Sequence, residues 1–132
     1  MAVNLSPIFT LTPVVGVAQL STADATRSNG GSPVTVVTGN TNGTRITRLT
    51  VQSTGSQISN GMIRTFITSN GSSMLYDETA VTTSVPSGSQ VGFRSVKEYT
   101  GERAIILPNG VSLKASTTVS ETFNVIAEGG DY

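Results

Sequence analysis

Apolar and polar residues alternate with period two along much of the chain. Val14–Leu20 is mostly apolar and Val34–Thr38 is β-branched throughout. Thr44–Ser53 alternates, with Thr47, Leu49 and Val51 on one face and Arg48, Thr50 and Gln52 on the other. Met62–Thr68 sets Ile63, Thr65 and Ile67 against Met62, Arg64 and Phe66, and Met74–Glu78 is a short segment of the same kind. Gln90–Thr100 puts Val91, Phe93 and Tyr99 opposite Arg94 and Glu98, and Ala104–Leu107 is a short apolar run. Val111–Thr117 sets Val111, Leu113 and Ala115 against Ser112, Lys114 and Ser116, and Thr122–Ala127 sets Phe123, Val125 and Ala127 against Thr122, Asn124 and Ile126. This is the pattern of half-buried antiparallel strands. No window carries a 3.6-residue apolar stripe of helical length, and abundant Thr and Val lower helix propensity further.

Turn signals separate these segments. Asn-Gly occurs five times, at Asn29, Asn42, Asn60, Asn70 and Asn109, and both residues tolerate the positive φ of tight hairpin turns. Gly39, Gly55, Pro86-Ser87-Gly88 and Gly101 add breaks, and residues 21–33 read as a long polar loop. Eight or nine short strands with frequent turns predict an all-β fold, a two-sheet antiparallel β-sandwich of jelly-roll type. The 132 residues suit one domain, 1–132, with no internal repeat or dividing linker. Residues 1–12 form a candidate N-terminal arm in which Val3, Leu5, Ile8, Phe9 and Leu11 are apolar and Pro7 interrupts. They either dock on a neighbour, by strand addition or apolar packing, or serve as the first strand of the core. Deleting 1–12 and measuring assembly separates the two, since unchanged binding by a folded variant excludes docking.

Composition sharpens the picture. Aromatic residues are 5% of the chain, so the core is built from Val, Ile, Leu and Ala, with Phe9, Phe66, Phe93 and Phe123 as its large pieces. Charged residues are only 12% against about 25% in average proteins, and 20 Thr and 17 Ser stand in for them. A neutral, weakly charged surface does little to repel further copies, which suits an assembly subunit. No apolar run approaches the roughly 18 residues that span a membrane. The first twenty residues lack Lys and Arg and contain Pro7 and Pro13, a poor secretory signal. The sequons at Asn4, Asn42 and Asn70 read as chance matches in a Ser/Thr-rich chain.

The residue types exclude much chemistry. Without His or Cys there is no Ser-His-Asp triad, thiol nucleophile or thiolate metal site. Lys97 and Lys114 do not stand in Ser-x-x-Lys motifs, because position 94 is Arg and position 111 is Val. Asp77 and Glu78 are neighbours at a strand end and point to opposite faces, which suits solvated charges better than a glycosidase pair. Glu128, Asp131 and the terminal carboxylate could hold a hard cation such as calcium, though two side chains in a Gly-rich tail are few for one. No phosphate-binding glycine motif is present, and Gly30-Gly31 reads as a turn. Arg45 and Arg48 fall on opposite faces, as do Arg94 and Lys97, so no nucleic-acid stripe forms. The chain is expected not to be an enzyme and to use no cofactor or metal.

Several short blocks carry a resemblance. Leu107-Pro-Asn-Gly110, Leu113-Lys-Ala-Ser-Thr117, Glu121-Thr-Phe-Asn-Val-Ile-Ala127 and Gly129-Gly-Asp-Tyr132 resemble the ending of small virion proteins of tailed bacteriophages. Leu20-Ser-Thr-Ala-Asp24 and Arg45-Ile-Thr-Arg-Leu49 are similar to the front of such proteins. The resemblance implies a capsid decoration, or cement, protein: a β-sandwich made in the host cytoplasm that forms homotrimers on the virion's capsid surface. Its implied partners are itself and the major capsid protein, with neither nucleic acid nor membrane. The alternatives are a tail, baseplate or fibre component of the same virion, and a carbohydrate- or receptor-binding sandwich, the latter weakened by the absence of Trp.

Overall fold

The computed structural model describes residues 10–57 and 59–132. They form nine strands: β1 (Thr12–Leu20), β2 (Val34–Thr38), β3 (Thr44–Ser53), β4 (Gly61–Ser69), β5 (Ser72–Val81), β6 (Arg94–Glu98), β7 (Ile105–Leu107), β8 (Ser112–Thr117) and β9 (Phe123–Asp131). A single 3₁₀ turn, Gly101–Arg103, separates β6 from β7. One sheet runs β1-β9-β3-β6, with β7 also on β3, and the other runs β2-β8-β4-β5.

The pairings describe one long hairpin, rolled up. Its tip is Asn70-Gly71, where φ values of 52° and 80° make a two-residue turn that joins Ser69 to Ser72. From the tip outward β4 pairs with β5, β3 with β6 and β7, β2 with β8, and β1 with β9, all antiparallel. Rolling brings β9 beside β3 and β8 beside β4. Since β6 and β7 are two pieces of one strand on β3, the result is the eight-stranded, two-sheet jelly roll expected from the sequence.

The core lies between the sheets. Leu20, Ile46, Leu49, Val51, Ile63, Leu113, Phe123 and Val125 are all nearly or fully buried in it. Such side chains each contribute about 1.5–3 kcal/mol when fully removed from water. Phe123 is fully buried in the cluster and Phe93, partly buried, packs against it. Phe66 is also buried, at 2% exposure, but stands apart from this core on the outward parity of β4, with Arg64 and Thr68.

Both sides of the sandwich are closed. On one side β1 approaches β2 so tightly that a Cβ at Gly16 would meet the Val36 carbonyl oxygen at 2.5 Å. On the other, Asp77 of β5 accepts hydrogen bonds from Lys97 Nζ (3.0 Å), which stands on β6, and from the Tyr99 hydroxyl (2.9 Å). Inward-pointing polar groups here seal two sheet margins.

Two bulges alter the expected faces. In β3, Ile46 pairs with Gly129 and Arg48 with Glu128, so Thr47 is an extra residue. Ile46 therefore joins Leu49 and Val51 inward, Thr47 leaves that set, and Arg45 and Arg48 share the outer face rather than opposing one another. In β5, Tyr76 is extra, and the strand is ten residues long where a short one was expected. Asp77 and Glu78 lie within it rather than at its end, with side chains bonded on opposite sides of the sheet. β9 continues past Ala127 through Gly129-Gly130.

Candidate functional site

The two outer faces differ. Over the four-stranded sheet runs the loop 21–33. Asp24 N donates to Thr117 O (2.7 Å), Arg64 Nη1 to Ala25 O (3.0 Å) and Ser73 N to Asn29 Oδ1 (3.0 Å), while Arg27 pairs with Glu78 at 2.9 Å. Asp24 folds the loop on itself by accepting amide hydrogens from Thr26 (2.9 Å) and Ser32 (2.7 Å). Those backbone donors hold its carboxyl below the usual carboxylate range. Beneath the loop a cleft of about 520 Å³ is lined by Ser21, Thr22, Thr26, Ser32 and Ser116 among others. The Ser116 hydroxyl is buried without a hydrogen-bond partner among the described residues.

The five-stranded sheet presents a broad outward face, and its register can be read row by row. Val17 pairs with Ile126, Ile126 with Thr50, and Thr50 with Val96, giving a row of three apolar residues and a buried threonine across four strands. Two residues along, Gln19, Asn124, Gln52 and Arg94 form an amide-rich row. On the opposite side Val15, Glu128, Arg48 and Glu98 form a charged one. Val17, Val15 and Val96 are 67%, 65% and 44% exposed. Gln19 Nε2 donates to Asn124 Oδ1 (3.0 Å), Arg94 Nη1 reaches Gln52 Oε1 (3.4 Å), and Arg48 pairs with Glu128. A shallow groove of about 320 Å³ runs along Val17, Gln19, Asn124 and Ile126. Isolated exposed valines are ordinary, whereas Val15 and Val17 stand two residues apart on the outward side of β1 beside the half-buried Ile126, an apolar strip bordered by polar residues with the make-up of a contact surface.

Groups with chemical potential are engaged in the fold. Lys97 Nζ donates to Asp77 Oδ2 and to Glu78 O (2.7 Å). Burial penalises the Asp77 charge, but hydrogen bonds from Lys97, the Glu78 amide and Tyr99 outweigh it and hold the carboxyl below its ordinary range. Burial, and then the Asp77 charge, push the Tyr99 phenol up. Glu128 is paired with Arg48 and Asp131 accepts from Thr44 Oγ1, so the two carboxylates of the tail are committed separately. Among the described residues no group of three or more Asp and Glu could hold a metal ion.

Of the expected contact residues, Leu11 is described. Its amide donates to Asp131 O (2.8 Å), extending β1, and its side chain is 83% exposed. Val3, Leu5, Ile8 and Phe9 lie outside the described residues. The outer row escaped the sequence reading, although it left a trace: Val15, Val17, Val96 and Ile126 are apolar at outward positions. No family model matches this chain, and neither curated proteins nor solved structures yield a significant match.

Proposed function

We propose that this protein is a structural subunit of a tailed-phage virion that binds the outside of the capsid, together with further copies of itself, and stabilises the shell. The observation that carries this reading is the outward face of the five-stranded sheet, where Val15, Val17 and Val96 are exposed around a half-buried Ile126 and a buried Thr50, between an amide-rich row and a charged row. Support also comes from the jelly roll, an architecture used by viral capsid domains, though other functions share it. The chemistry is cohesion: many copies, each making a modest contact, favour the assembled shell because they bind it in preference to its parts. Heating particles with and without saturating protein tests the reading. A higher disruption temperature with the protein is expected, and equal temperatures at full occupancy contradict a cement role. Binding to isolated tails instead would move the subunit to the tail, baseplate or fibre.

A second reading is a carbohydrate-binding module, favoured by the hydroxyl-lined cleft around Ser116. Saturable glycan-array binding that is lost on filling the cleft with Ser116→Phe would support it, and an array without hits would remove it.

A further inference from the structure

The exposed sheet face has a symmetry that a list of its residues does not reveal. Consider two copies face to face, related by a twofold axis lying in the interface along the row Val17–Ile126–Thr50–Val96. Such an axis leaves each strand opposite its own counterpart and exchanges the rows on either side. Glu98 of one copy then stands opposite Arg94 of the other, and the reverse contact occurs with it. Glu128 meets Asn124, Arg48 meets Gln52, Val15 meets Gln19, and the central row, with Val17 and Val96 exposed, meets itself.

Charge complementarity is therefore built into a single strand. Arg94 and Glu98 lie on the outward parity of β6, on either side of Val96, each about 6.6 Å from the axis at 3.3 Å per residue. Among the described residues Arg94 has only the long bond to Gln52, and Glu98 makes no ion pair. The area is also adequate. Three strands of about nine residues and the five-residue β6, at about 4.8 Å spacing and 3.3 Å per residue, give a face of about 500 Å², and two such faces cover about 1,000 Å². That is the low end of specific interfaces, and two twisted sheets stack readily in the aligned manner.

We infer that the outer face of the five-stranded sheet is an isologous interface with a second copy of this chain, aligned by reciprocal Arg94–Glu98 pairs. The inference rests on the reading of the chain as an assembly subunit and names the occupant of its open face. It replaces the threefold self-association implied by the resemblance with a twofold contact.

Sedimentation velocity on the full chain over micromolar to millimolar concentration tests it, with far-UV circular dichroism to verify folding. A reversible dimer is expected. Arg94→Glu and Glu98→Arg each place like charges across the axis and should weaken dimerisation about tenfold or more. The double variant Arg94→Glu/Glu98→Arg restores complementarity and should return to within a few-fold of the parent. A monomer throughout, a trimer, or a double variant no better than the singles overturns the inference. The two levels separate cleanly: a monomeric chain that still binds particles refutes the pairing and leaves the virion reading intact, whereas a dimer that binds no particle does the opposite.

Discussion

Adding one methyl group at Gly129 examines the rolled topology at the seam where β9 meets β3. A Cβ there would lie 1.8 Å from the Arg45 carbonyl oxygen, 2.8 Å from its carbonyl carbon and 2.9 Å from Ile46 Cα. All three are backbone atoms, so no side-chain rotation relieves the clash, and the strands must separate by more than an ångström. Separation disrupts the Ile46–Gly129 register beside the Thr47 bulge and disturbs Ile46 and Ala127, both fully buried. Two or three ladder hydrogen bonds at about 1 kcal/mol each, plus loosened packing, put the loss near 3 kcal/mol. That is a large share of a typical stability of about 5–15 kcal/mol. Gly55→Ala is the internal comparison, because a Cβ there meets nothing within 4 Å. Urea unfolding followed by far-UV circular dichroism measures both. The reasoning fails if Gly129→Ala lies within about 0.5 kcal/mol of the parent, the range of an ordinary surface change.

Three further outcomes follow from the same structure. Phe123→Ala should cost about 3–5 kcal/mol in the same urea experiment, because the ring is fully buried in the core. Asp77 has a folded pKa below its unfolded value, so its stabilisation is complete above about pH 4 and fades as pH falls through the folded value; Tyr99, shifted upward, stabilises fully below about pH 10 and less above it. Asp77→Asn should therefore flatten the acid limb of a stability–pH curve and Tyr99→Phe the alkaline limb, as followed by thermal melts at several pH values. Asp24→Ala removes the acceptor for the Thr26 and Ser32 amides, and should speed proteolytic nicking within residues 25–32 while leaving the melting temperature of the strands within a few degrees.

Local pattern revealed the strands but not their company. Val34–Thr38 and Thr44–Ser53 coincide with β2 and β3 because β-branched alternation and flanking Gly and Asn mark both ends. Bulges are the main loss. A single extra residue at Thr47 reverses the parity of everything before it, and so Arg45 and Arg48 share a face that simple alternation denies them. Gly129-Gly130 looks like a flexible tail, yet these residues lie in β9, where the close approach of Arg45 leaves no room for a side chain at Gly129. The outward row was hidden for a topological reason. Val17, Ile126, Thr50 and Val96 come from four strands far apart in the chain, and only the order β1-β9-β3-β6 sets them in one row. Phe66 was legible as a large apolar residue, but its cover lies outside the sandwich, on the side bridged by the loop 21–33.

An electron-cryomicroscopy map of the parent virion tests the assembly reading most directly. The account predicts two-sheet jelly-roll density on the outside of the capsid, with the β1-β9-β3-β6 faces of neighbouring copies packed against one another. Density for this chain on the tail, or particles that lack it entirely, would contradict the account.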